Sequence, residues 1–114
     1  MSGITTHVLD VSIGRPAAGV MVRLDRQAND GEWQHIGSAV TDQDGRVREL
    51  LSDGELLAVG VHRLKFEVDR YFSASQVEGF YPEITIAFTV KDNSQHYHVP
   101  LLLSPFGYST YRGS

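Results

Sequence analysis

The chain has 114 residues and a mass of 12.7 kDa, the size of a single domain spanning residues 1–114, and 41% hydrophobic with 21% charged residues excludes a disordered or fibrous chain. Ten Lys and Arg against fourteen Asp and Glu leave a formal net charge of -4, so no nucleic-acid partner is expected. With no cysteine, disulfide scaffolds, thiol nucleophiles and Cys-ligated zinc are excluded.

The dominant period along the chain is two. His7 stands among Thr5, Thr6 and Asp10 in a strand that starts the domain. Val20, Val22 and Leu24 alternate with Met21, Arg23 and Asp25, the pattern of a half-buried strand ending near Arg26. Asn29-Asp30-Gly31 predicts a hairpin into an antiparallel strand from Trp33 to Thr41. Asp42-Gln43-Asp44-Gly45 is a second turn, with Gly45 free to take positive φ, and a short strand is expected around Val47–Leu50. Ser52-Asp53-Gly54 is a third turn signal. From His62 to Asp69, Leu64, Phe66 and Val68 alternate with Arg63, Lys65 and Glu67, again a strand. Tyr71 to Gly79 breaks the alternation, and a short helix ended by Gly79 is expected there. Glu83–Val90 and His96–Leu103 complete the strands, the second interrupted by Pro100, with the polar turn Lys91-Asp92-Asn93-Ser94 between them. Turns at this spacing predict an antiparallel β-sandwich, which by itself says nothing about function.

Histidine is the residue type that can exchange protons near neutrality. His7, His35, His62, His96 and His98 each read first as a partly exposed strand residue. His96 and His98 share a face, and such a pair is also a potential metal site, although spacing identifies no third ligand. A nucleophile elbow and a phosphate-binding glycine loop are both missing. Arg46, beside the Asp44-Gly45 turn, can orient an anion, while Arg48 reads as solvated. The C-terminal run from Pro105 to Ser114 is unusually aromatic for a chain end, and Tyr108 and Tyr111 are the expected anchors.

Three blocks together resemble a known family. They are Ile4-Thr5-Thr6-His7-Val8-Leu9-Asp10 with Gly14-Arg15-Pro16-Ala17; Thr41-Asp42-Gln43-Asp44-Gly45-Arg46; and His98-Val99-Pro100-Leu101-Leu102-Leu103-Ser104-Pro105 running on to Tyr111-Arg112-Gly113-Ser114. The chain is similar to the transthyretin-like proteins, specifically their 5-hydroxyisourate hydrolase branch in purine (urate) degradation. The terminal Tyr-Arg-Gly-Ser is the most specific piece, since the hormone-carrier branch lacks it.

The resemblance implies an all-β, transthyretin-like antiparallel β-sandwich with one short helix. It implies a homotetramer, a dimer of dimers, with sites at the dimer–dimer interface. It further implies a catalytic set of His7, Arg46, His98 and Ser114, with Tyr111, Arg112 and Gly113 binding substrate. In this reading His7 and His98 share water activation and proton return, Arg46 holds the substrate and the developing oxyanion, and Ser114 orients water or substrate through its hydroxyl or carboxylate. No metal and no cofactor is required, because the lactam of 5-hydroxyisourate is already electrophilic. The rival is a small-molecule, hormone-like carrier with the same fold and no turnover; a structural or adhesion module is a weaker third reading. No apolar run approaches the ~18 residues of a membrane span. The Met1–His7 segment carries no secretory signal, so a cytoplasmic location is expected.

Overall fold

The computed structural model of the chain describes residues 3–52 and 55–114. The elements run β1 (Ile4–Asp10), β2 (Arg15–Pro16), β3 (Met21–Gln27), β4 (Trp33–Val40), β5 (Arg46–Val47), β6 (Gly60–Glu67), α1 (Val68–Ala74), β7 (Ile84–Val90), β8 (Tyr97–Ser104) and β9 (Gly107–Thr110). One sheet has the order β2-β1-β8-β9, with β5 also beside β1, and the other has the order β4-β3-β6-β7.

Alternation decides what each sheet buries. In β1, Ile4, Thr6, Val8 and Asp10 turn inward, leaving Thr5, His7 and Leu9 on the outer face. Val22 and Leu24 of β3, Leu64 and Phe66 of β6, and Val99, Leu101 and Leu103 of β8 join Ile4 and Val8 in one core between the sheets. Each such side chain contributes about 1.5–3 kcal/mol by leaving water. Asp10, buried at the end of β1, accepts from the Tyr71 hydroxyl at 2.8 Å and from Ser12, which ties α1 to the first sheet. Burial, followed by the Asp10 contact, pushes the Tyr71 phenol up to about 12.

The expected strands form, with informative differences. The sandwich is not wholly antiparallel: β1 and β8 run parallel, Ile4 opposite Tyr97 through Asp10 opposite Leu103. A parallel pair needs a long connection, and here nearly the whole chain lies between the two strands. Pro100 does not interrupt β8. Its carbonyl faces the C-terminal segment and accepts from the Thr110 hydroxyl, beyond the last β8–β9 pair at Leu101 and Thr110, where no ladder N–H is needed. The strand expected at Val47–Leu50 is only Arg46–Val47, because Leu50 and Leu51 leave the sheet to enter the core. The turn expected at Ser52-Asp53-Gly54 lies in part outside the described residues.

The helix is Val68–Ala74 rather than a segment within Tyr71–Gly79, and so it takes Val68 and Asp69 from the expected strand. Val68 and Phe72, four residues apart, are its buried face, and both satisfy a helical and a strand period at once. Ser75 closes the helix and Gln76 takes the left-handed conformation at φ 58°, not Gly79, which packs against the Phe72 ring. His62 departs furthest from expectation. It is completely buried, stacks on Phe88 at 5.8 Å, and bonds Gly60 through Nδ1. Among the described residues, no helix is long and apolar enough to cross a membrane.

Candidate active site

Three chain segments far apart in sequence meet on the outer face of the first sheet. In β1, Thr5 and His7 point outward. Parallel pairing sets Thr5 opposite His98 of β8, and antiparallel pairing on the other edge sets His7 opposite Arg46 of β5. His7 therefore stands between the Arg46 strand and the His98 strand.

Arg46 owes its place to the turn before it. Asp42 Oδ1 accepts from the backbone N–H groups of Asp44 and Arg46, which closes the turn. The bond from Arg46 is the main reason the Asp42 carboxyl lies below its ordinary pKa. Gly45 sits at φ 74°, its carbonyl accepts from Val8, and a Cβ there would stand 2.4 Å from the Val8 carbonyl oxygen. Only glycine fits both the conformation and the approach.

A cleft of about 220 Å³ opens on this face, lined by Thr5, Arg46, Arg48, His96, His98 and Ser114 among others. Its walls are imidazole, guanidinium and hydroxyl groups, which suits a small polar, anionic ligand. A larger cleft of about 500 Å³ lies beside the β3–β4 turn, between Arg26, Asp30 and Val59, and no imidazole lines it. The Thr5 hydroxyl lies between two rings, 2.8 Å from His98 Nδ1 and 2.9 Å from His96 Nε2. Burial pushes the His98 imidazole below its ordinary pKa. The Arg46 guanidinium pushes the same way, then His7 and His96, while a hydrogen bond with the Thr5 backbone opposes them. These influences favour the neutral imidazole, the form able to accept a proton.

The tail approaches from the other side of β8. The Gly113 N–H donates to the His98 carbonyl at 2.8 Å, an isolated bridge that brings Ser114 to the cleft. Arg112 donates to Gln95 Oε1 at 2.8 Å and stacks 4.6 Å over the Tyr97 ring. The tail is held by these contacts and by Thr110, not by the expected aromatic anchors: Tyr108 is 44% and Tyr111 58% exposed.

Arg46, His98 and Ser114 thus share one cleft, with His7 just beyond its edge opposite Arg46. Gly113 packs against His98 without lining the cleft. Tyr111 and Arg112 instead line a separate groove of about 250 Å³ with Phe88, Tyr97 and Val99, since residue 112 turns onto the Tyr97 ring. His96 and His98 both direct a ring nitrogen at Thr5. No group of three or more His, Asp or Glu side chains among the described residues is placed to hold a metal ion. Sequence reasoning passed over Thr5 and took Arg48 as merely solvated. The signal for Thr5 was parity: it shares a face with His7, two residues on.

The model of the HIUase/Transthyretin family matches residues 4–113. The chain is 51% identical to a protein of Caulobacter vibrioides named 5-hydroxyisourate hydrolase, covering 100% of each. It is 34% identical to the solved 5-hydroxyisourate hydrolase of Klebsiella pneumoniae, with a TM-score of 0.83 over 97% of this chain and 98% of that one. Sea bream transthyretin in complex with thyroxine is 28% identical, with a TM-score of 0.90 over 97% and 94% of the two chains.

Proposed function

This chain belongs to the HIUase/Transthyretin family, and we propose that it is the hydrolase that opens 5-hydroxyisourate in urate degradation. The observation that carries the reading is the meeting of Arg46, His98 and Ser114 in one cleft with His7 at its edge. Hydrolysis breaks the acyl C–N bond of the six-membered ring and yields 2-oxo-4-hydroxy-4-carboxy-5-ureidoimidazoline.

Water must lose a proton as it attacks the carbonyl, and the departing nitrogen must gain one. A neutral His98, kept so by burial and by Arg46, is suited to take the first proton. His7, across the sheet from Arg46, is the partner that shares proton return. The Arg46 fork of N–H donors meets the carbonyl oxygen as its negative charge develops. The Ser114 hydroxyl orients water or substrate from the cleft wall. The pocket asks for no cofactor, since a strained lactam and two imidazoles supply the electrophile and the proton carriers.

The working assembly in this reading is a homotetramer, a dimer of dimers, with cleft pairs facing one another. Two features support it. Strand β7 ends its sheet with an open edge, and Phe80, Tyr81 and Tyr108 form an exposed aromatic surface.

The carrier reading is favoured by one observation, the close backbone likeness to a thyroxine-bound transthyretin. Imidazole and guanidinium walls argue against it, since carriers of apolar ligands prefer apolar pockets. Ultraviolet absorbance of 5-hydroxyisourate, generated in place by urate oxidase, separates the two. The protein accelerates the decay, with or without chelator, if the reading holds. Saturable binding of the substrate without faster decay selects the carrier. Activity lost in chelator and restored by zinc returns His96 and His98 to a metal role.

A further inference from the structure

Thr5 and Thr6 are neighbours in β1 with opposite faces. Thr6 points inward and spends its hydroxyl on the Val99 carbonyl. Thr5 points outward, and its hydroxyl reaches two imidazoles, His98 Nδ1 at 2.8 Å and His96 Nε2 at 2.9 Å. We propose that Thr5 is a positioning residue for the hydrolysis, its hydroxyl joining His96 and His98 into a proton relay that fixes which ring nitrogen His98 offers to the cleft. The proposal rests on the reading of that cleft as the 5-hydroxyisourate site.

A hydroxyl has one proton and two lone pairs, so between two imidazoles it donates to one and accepts from the other. Two arrangements satisfy Thr5. In one, His98 Nδ1–H donates to Thr5, and the Thr5 O–H donates to His96 Nε2. His98 Nε2 then carries a lone pair, and among the described residues it has no hydrogen-bond partner. The other arrangement reverses every bond and leaves His98 Nε2 protonated. Catalysis needs both in turn, a base for water and then an acid for the departing nitrogen.

The relay interconverts them with the atoms balanced. Water gives a proton to His98 Nε2 while its oxygen bonds the substrate carbonyl carbon. The Nδ1 proton passes to Thr5 Oγ1 as the Thr5 proton passes to His96 Nε2. His98 is left neutral with a proton on Nε2, and His96 carries the charge. When the C–N bond breaks, His98 Nε2 gives its proton to the leaving nitrogen, the relay runs back, and both rings return to their starting forms. His96 is exposed at the rim, where solvent stabilises its charge. Charge placed on His98 itself is opposed by burial, by Arg46 of β5 and by His7 of β1; Arg48 also lines the cleft. The β-branched Thr5 side chain has a restricted χ1 and sits directly opposite His98 in the β1–β8 pairing, so the hydroxyl is held in place.

The test measures kcat and KM against pH for wild type, Thr5→Val, Thr5→Ser, His96→Ala and the Thr5→Val/His96→Ala double variant. Heteronuclear NMR of the histidine ring nitrogens accompanies it. Thr5→Val keeps the side-chain shape and β preference, so the fold is preserved. Its expected kcat is lower by roughly tenfold or more, short of the ~10²–10⁴ of a whole acid–base group, with KM little changed. Its acid limb moves to lower pH, because the hydroxyl oxygen that accepts from Nδ1–H of a protonated His98 is lost. Thr5→Ser restores most of the turnover. Adding His96→Ala to Thr5→Val costs nothing more, since the relay is already cut. NMR shows a defined His98 tautomer in wild type and a mixture in Thr5→Val. Wild-type kcat and pH profile in Thr5→Val, or additive losses in the double variant, overturn the relay. A wild type that leaves 5-hydroxyisourate decay unchanged instead overturns the hydrolase reading, and the NMR comparison then decides the Thr5 tether by itself.

Discussion

Gly113 stands so close to His98 that no side chain fits between them: its N–H donates to the His98 carbonyl at 2.8 Å, and a Cβ would stand 2.5 Å from the imidazole Cδ2. The tail and the ring share one space. The absence of a side chain at position 113 is what lets the chain pass His98 and bring Ser114 to the cleft.

Gly113→Ala therefore displaces either the imidazole or the tail. Turnover should fall by roughly tenfold or more, since misplacement by an ångström can cost ~10²-fold. The core is untouched, so circular dichroism and thermal unfolding should stay near wild type. Deleting Tyr111 to Ser114 should have the larger effect. An active Gly113→Ala protein would remove the tail from the site.

Arg46 is expected to act twice, as an oxyanion partner and as a charge that keeps His98 neutral. Arg46→Lys should lose turnover because a point charge does not replace a planar fork. Arg46→Gln should in addition move the acid limb of the kcat profile to higher pH. The sign follows from the electrostatics: removing a neighbouring positive charge makes the His98 cation less costly, so the base is lost at higher pH. Single replacements of His7 or His98 should cut turnover by about 10²–10⁴-fold, and His35→Ala should be mild. Steady-state rates across pH check all of these.

His62 plays a structural part. Burial holds its pKa below the ordinary 6.5, its Nδ1 bonds the Gly60 carbonyl, and its Nε2 is buried without a partner among the described residues. A histidine whose folded-state pKa is depressed stabilises the fold above the unfolded value, and that stability is lost as pH falls through the folded value. The protein should thus lose stability as pH drops below 6.5. His62→Leu should flatten that dependence, while His62→Ala should cost about 2–4 kcal/mol through the cavity it leaves. Denaturant unfolding at a series of pH values reads both.

The exposed rings pack edge to face, Phe80 on Tyr81 at 4.9 Å and Tyr81 on Tyr108 at 5.4 Å, and present a surface that a monomer rarely leaves bare. Light scattering should give a particle of about four times the 12.7 kDa chain mass. Tyr108→Asp should shift it toward smaller species and lower the specific activity with it. A fully active monomer would separate the site from the assembly.

The period of two by itself determined which residues form strands and which face the core, because a pleated chain has only two sides. The Asp42–Gly45 turn was equally legible, since aspartate and a left-handed glycine make one local structure. His62 was misread as partly exposed, although it shares parity with Leu64 and Phe66, which turn inward. The helix start was not legible, because Val68 continues the strand alternation and begins the Val68–Phe72 helical stripe with equal right. Nor was the pairing of strands. Alternation assigns a face but not a neighbour, and a parallel partner 93 residues away leaves no local trace. Only tertiary structure laid β8 beside β1, and with it set the Thr5 hydroxyl between His96 and His98 and turned Arg112 away onto Tyr97.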